Sequence, residues 1–199
     1  MVGVEIGDAV HLLLERDDER WRLRYPAATA EDEAVVARMM ESWRGSELAA
    51  RVDALGGDVR RELTFAFELD GVLFRGRFDL FHSGPDGAAL IVDYKTNLLG
   101  ERDPAELVAA SYGRQVTIYA LAVLRAGASS VEIVYAFLDR PGAVWSRTFD
   151  AAEAAGLEEE LRGWVAPVAG GEFSPVPGPW CSDCPALDVL CAGPELGAE

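Results

Sequence analysis

The sequence predicts an α+β domain in which a mixed sheet is flanked by helices. Three observations carry that prediction. Apolar residues recur at three-to-four spacing over residues 4–15 and 104–125, the period of helices with one buried face. The period changes to two from residue 59, where Leu63, Phe65, Phe67 and Leu69 alternate with Glu62, Thr64, Ala66 and Glu68. Two turn sequences, Asp70-Gly71 and Gly84-Pro85-Asp86-Gly87, then link three extended runs into an antiparallel meander. The resulting order of helices, three strands, helix, two strands and helix is that of an α+β fold.

Ile6, Val10, Leu13 and Leu14 form the stripe of a short first helix, with His11 beside it. Thr29 can cap a second helical region that opens with Glu31, Asp32 and Glu33, breaks at Gly45-Ser46 and ends at Gly56-Gly57. Strands follow at about 59–69, 72–82 and 88–96. Pro104 starts one long helix that runs to about Arg125, and Gly127 stops it. Strands at about 131–138 and 143–149 flank a hairpin at Arg140-Pro141-Gly142, and a last helix covers about 151–165. At 199 residues, half of them apolar, the chain can bury one sizeable core. That core is expected over residues 1–166, with 167–199 a Pro/Gly-rich extension carrying a cysteine cluster.

The chain has 34 acidic and 18 basic residues, a formal net charge of -16. Such a balance disfavours gripping nucleic acid through a global field, because phosphate affinity scales with the cations that displace counterions. Any nucleic-acid substrate must therefore be delivered by something else, or the acidity serves solubility alone. No run approaches the roughly eighteen apolar residues of a membrane span, and no leader-like segment opens the chain. A soluble, unexported protein of the reducing cytoplasm is expected. Cys181, Cys184 and Cys191 crowd together near the C-terminus, a poor disulfide framework and a plausible ligand cluster.

Lys95 is the one lysine, against seventeen arginines. A compact ammonium suits a task that a guanidinium performs badly, such as approaching a phosphate or a nucleophilic water. Counted outward from the 84–87 turn, Asp79 falls opposite Asp93, and Asp93 shares a strand face with Lys95. Two facing carboxylates repel, whereas a bound divalent cation keeps both as anions; magnesium and manganese suit such oxygen donors. The alternative is a structural salt bridge to Lys95. His11 is either a core histidine or a further ligand. Gln115 and Tyr119 share a helix face, which alone fits ordinary packing.

These pieces, Gly7-Asp8-Ala9-Val10-His11, Gly76-Arg77-Phe78-Asp79, Asp93-Tyr94-Lys95-Thr96 and Gln115-Val116-Thr117-Ile118-Tyr119-Ala120, resemble in order and spacing the PD-(D/E)xK nucleases, specifically the RecB-like nuclease domain of helicase-nucleases. The resemblance implies a restriction-endonuclease-like core. It implies that His11, Asp79, Asp93 and the Tyr94 backbone carbonyl hold Mg2+ or Mn2+, that Lys95 acts in catalysis with both aspartates, and that Gln115 and Tyr119 face the DNA. Glu62 resembles an acidic residue of the first strand. The cysteines are similar to an iron–sulfur staple, whose four thiolates would hold a [4Fe-4S] cluster. The upstream fourth cysteine is absent and the 184–191 spacing is one residue long, so Zn2+ with another fourth ligand, or no metal, stays open.

The expected function is thus a metal-dependent deoxyribonuclease, exonuclease rather than endonuclease. It would cut single-stranded DNA fed by a helicase domain or subunit in repair and recombination, with no membrane partner. The chain is also expected to be a fragment of such a helicase-nuclease. The rival is a catalytically inactive nuclease-fold module that docks on a helicase or steers DNA. A stand-alone CRISPR-associated or phage-type nuclease differs only in partner.

Overall fold

A computed structural model describes residues 1–16, 20–172, 177, 178, 181, 184, 186, 187 and 191. Its helices are α1 (Gly3–Arg16), α2 (Trp21–Arg24), α3 (Ala30–Arg44), α4 (Glu47–Ala54), α5 (Pro104–Ser111), α6 (Gly113–Arg125) and α7 (Ala154–Ala169). The strands are β1 (Arg60–Leu69), β2 (Val72–Ser83), β3 (Ala88–Lys95), β4 (Ser130–Phe137) and β5 (Val144–Asp150). They form one five-stranded sheet in the order β1-β2-β3-β4-β5. All neighbours are antiparallel except β3 and β4, which run parallel and are joined by the α5–α6 crossover. The expected α+β mixed sheet is therefore present. Two compact units divide the chain, Met1–Leu161 and Arg162–Glu199. Among the described residues no single helix is long and apolar enough to cross a membrane.

Local chemistry explains most boundaries. Thr29 caps α3 in a capping box with Asp32; the Thr29 backbone N–H and hydroxyl hold the Asp32 carboxyl down at about 2. Ser46 caps α4 and Asp103 caps α5, where Pro104 takes the first turn. Asp70 and Gly71 both have positive φ, 51° and 82°, as a two-residue hairpin needs to match the strand twist.

Two elements differ from the sequence prediction. Helix α2 is a single turn, too short to show periodicity, and is anchored by Trp21, 1% exposed. The long helix expected from Pro104 is two helices bent by 81°. Tyr112, at φ -122° and ψ 0°, ends α5 by donating its N–H to Val108 and starts α6 by accepting from Val116. Capping both helices at one residue keeps their end groups satisfied, so the bend leaves few orphans.

The sheet is covered on both faces. Helices α1 to α4 pack Val10, Leu14, Trp21 and Met39 against Leu80, Leu90, Val92 and Val134. On the opposite face α6 sets Tyr119 edge-on to Phe65 and Phe78. Gly76 makes that cluster possible, since a Cβ there would lie 2.6 Å from the Phe65 Cζ. Phe65 is stacked on Phe78 at 4.4 Å and cannot retreat. Gly76→Ala is expected to cost about 2 kcal/mol of stability in chemical denaturation.

Candidate active site

The site forms at the C-terminal end of β3, one of the two central parallel strands, where ligands commonly bind in open sheets. Helix α1 approaches this end closely because Gly7 lacks a side chain: a Cβ there would sit 2.9 Å from the Thr96 Oγ1. The approach sets the His11 Nε2 3.1 Å from the Tyr94 carbonyl oxygen. The His11 Nδ1 lies 3.5 Å from Asp79 Oδ1 and 3.9 Å from Glu62 Oε1. Among the described residues, His11, Glu62 and Asp79 are the trio whose ligand atoms all fall within 4.8 Å of one another. This group could hold a metal ion.

Strict alternation would not have produced that trio. Phe78 and Phe81, an odd number of residues apart, stack on the same side of β2, so the side-chain alternation shifts between them. Arg61↔Leu80 and Leu63↔Phe78 pair on either side of the shift, and Glu62 between them has φ 53°. Left-handed backbone is uncommon for a glutamate and costs of order 1 kcal/mol, which the flanking ladder sustains. The shift turns Glu62 and Asp79 toward His11. The β2–β3 register continues as counted from the turn as far as Leu80↔Val92. Beyond it Asp79 Oδ2 accepts the Tyr94 N–H at 2.8 Å, so a side chain replaces the next ladder bond.

Asp93 and Lys95 occupy the α6 face of β3. The Lys95 Nζ lies 2.5 Å from Asp93 Oδ1 and donates to Gln115 Oε1 at 2.9 Å. It also sits over the Tyr112 and Tyr135 rings, 4.2 and 4.7 Å from their centroids, which favours a cation in a confined place. Gln115 Nε2 donates to Asp93 Oδ2 and to the Tyr119 hydroxyl, at 3.2 and 2.8 Å. The Tyr119 hydroxyl reaches Asp93 Oδ2 and the Arg77 carbonyl. Tyr119 is 6% exposed and stands behind Asp93, while Gln115 bridges Lys95 and Asp93. A cavity of about 670 Å³ opens beside Lys95, lined by Ile6, Met39, Asn97, Leu98 and Tyr112 among others.

The electrostatics follow from burial around crowded acids. Burial first, and the Asp93 carboxylate second, push the Asp79 carboxyl up to about 7. Burial pulls the His11 imidazole down, but Glu62, Asp79 and Asp93 together outweigh it and leave its pKa raised. Burial, with Asp93 next, raises the Tyr119, Tyr135 and Tyr112 phenols, so they remain hydrogen-bond donors. A buried acid cluster short of cations fits a divalent ion, whose charge reverses these penalties.

Sequence reasoning missed Tyr112, Tyr135 and Arg77. Tyr135 lies across the parallel pair from Asp93, and Tyr112 owes its place to the α5–α6 bend; neither arrangement leaves a local sequence signal. Arg77 Nε pairs with Glu62 Oε2 at 2.5 Å, a contact created by the shifted alternation.

In the second unit the three thiols are free, and among the described residues they form no trio of converging ligands. Cys184 donates its backbone N–H to the Cys181 carbonyl, and Gly178 N–H points at the Cys181 Sγ at 3.4 Å. Pro185, in the expected cysteine motif, lies outside the described residues.

The family model of the PD-(D/E)XK nuclease superfamily matches residues 3–191. Among solved structures the chain is similar to a candidate exonuclease from Eubacterium rectale, at 15% identity and TM-score 0.59, covering 95% of this chain and 75% of that one. It is also similar to SSO0001, at 18% identity and TM-score 0.40, covering 92% and 84%. No curated protein matches.

Proposed function

This chain belongs to the PD-(D/E)XK nuclease superfamily, and we propose that it is a metal-dependent deoxyribonuclease that cuts single-stranded DNA from an end. The observation that carries this reading is the adjacency of two clusters: the His11, Glu62 and Asp79 trio, and the Asp93–Lys95 pair held by Gln115. Two carboxylates beside a histidine suit a divalent ion, and a neighbouring ammonium suits a phosphate.

His11, Glu62 and Asp79, joined by Asp93 and the Tyr94 carbonyl, would hold Mg2+ or Mn2+. Such an ion supplies charge that activates water and polarises the scissile phosphate. Lys95 presents its ammonium to the attacking water or to the negative charge that grows on the phosphate. Asp93 and Gln115 aim it, and the two tyrosine rings keep bulk water off its flank. Tyr119 orients Asp93 through its hydroxyl. In this reading a helicase domain or subunit of the RecB-like kind delivers the strand in the cytoplasm during repair and recombination. Cys181, Cys184 and Cys191 would hold a [4Fe-4S] cluster or Zn2+ with a fourth ligand from elsewhere.

Incubation of the purified protein with end-labelled single-stranded and duplex DNA, with and without Mg2+ or Mn2+, tests the reading. Metal-dependent release of short products from single strands is the expected result. Tight metal binding without cleavage of either substrate would instead assign an inactive nuclease-fold module.

A further inference from the structure

Resting on the nuclease reading above, we propose that the outer face of the β1–β2 hairpin is a phosphodiester track, on which Arg61 and Arg75 guide a single DNA strand into the site. The chain carries 34 acidic residues against 18 basic ones, so a carboxylate is available to nearly any arginine. Most take one: Arg24, Arg51, Arg77, Arg125 and Arg147 pair with acids in the first unit. Among the described residues, Arg60, Arg61 and Arg75 have neither an ion pair nor a hydrogen-bond partner, and Arg38 is the other such cation. Three of these four lie on one hairpin, the hairpin that carries Glu62 and Asp79.

The placement is directional. Arg75 and Arg77 are two apart on β2 and share a face, opposite Ala66 and Thr64 of β1, all of them exposed. The other face of this hairpin is filled by Phe65, Gly76 and Phe78 against Tyr119, so the arginine face has no α6 over it. Arg75 lies about 13 Å from Asp79 along β2, at ~3.3 Å per residue. Arg77 comes between, tied to Glu62. On the far side Arg61 pairs with Leu80, whose side chain is in the α1–α4 core, and lines a cavity with Leu13 and Trp43. Arg75, Arg77, the trio and Arg61 thus follow one another along the same side of the hairpin. Small Thr64 and Ala66 leave that face open to a long anion. Arginine is the side chain that grips phosphate oxygens bidentately without shifting its charge state.

Fluorescence anisotropy with a 20-nucleotide oligodeoxythymidine in chelator, across a salt series, tests the track without requiring catalysis. The double variant Arg61→Ala/Arg75→Ala is expected to raise Kd about tenfold or more and to reduce the log Kd against log salt slope by about two. Arg61→Lys/Arg75→Lys should retain most of that slope, and Arg147→Ala, on β5, should behave as wild type. In cleavage the double alanine variant should raise KM and leave kcat within about twofold. Unchanged affinity and slope in the double alanine variant, with wild-type binding measurable, overturns the track even if the protein cuts DNA. Arginine-dependent binding without cleavage keeps the track and removes the nuclease reading.

Discussion

Lys95→Ala is expected to lower metal-dependent DNA cleavage by roughly 100-fold or more, measured as kcat on a single-stranded substrate. The same change also strips the buried Asp93 carboxylate, 3% exposed, of its cation, which costs about 3 kcal/mol when one partner of a buried pair is removed. Activity must therefore be compared at a temperature where both proteins are folded. Lys95→Arg separates chemistry from stability. It keeps the charge, but a planar fork cannot occupy the point between Asp93 Oδ1 and Gln115 Oε1 under the Tyr112 and Tyr135 rings. Stability should largely return in Lys95→Arg while cleavage stays depressed at least tenfold. Equal cleavage by wild type and Lys95→Ala would remove Lys95 from the chemistry.

Asp79→Asn should abolish Mg2+ and Mn2+ binding in calorimetry and, in the metal-free protein, raise stability at alkaline pH. The asparagine oxygen can still accept the Tyr94 N–H that Asp79 Oδ2 accepts at 2.8 Å, so the backbone junction survives. The sign of the stability effect follows from the raised carboxyl. Folded Asp79 titrates at about 7, against about 3.9 unfolded. Between those values the native state binds the proton that the unfolded state has lost, so metal-free wild type loses stability as pH rises from about 4 to about 7. Above pH 7 the full penalty is present, and Asp79→Asn should gain on the order of 2 kcal/mol there. Below pH 4 the two proteins should be alike. A metal-free Asp79→Asn protein no more stable than wild type at pH 8 would show that His11 already balances the carboxylates.

Much of the framework was legible in local patterns. The period change near residue 59, the Asp70-Gly71 hairpin and the count from the 84–87 turn locate β1 to β3, because turn residues and alternation act within a few positions. The same count gives the Leu80↔Val92 register. Gly7 and His11 could be matched to a family pattern, although the reason for Gly7, its contact with Thr96, lies between segments far apart in the chain. The single long helix was misread because Leu107, Val108, Tyr112 and Val116 keep helical spacing across a bend. Glu62 could not be foreseen facing His11: alternation puts it with Thr64 and Ala66, and only a left-handed residue changes that.

Composition, period and turn chemistry thus specify the helices and strands, the hairpin registers and the residues that carry charge, since each depends on near neighbours. Long-range packing decides the rest. The parallel β3–β4 pairing brings Tyr135 beside Asp93, the α5–α6 bend lays Tyr112 over Lys95, and the shift at Glu62 and Asp79 assembles a ligand trio with His11. Each juxtaposition is set by how whole elements fill the two faces of the sheet, a constraint spread over the fold rather than written in any one segment.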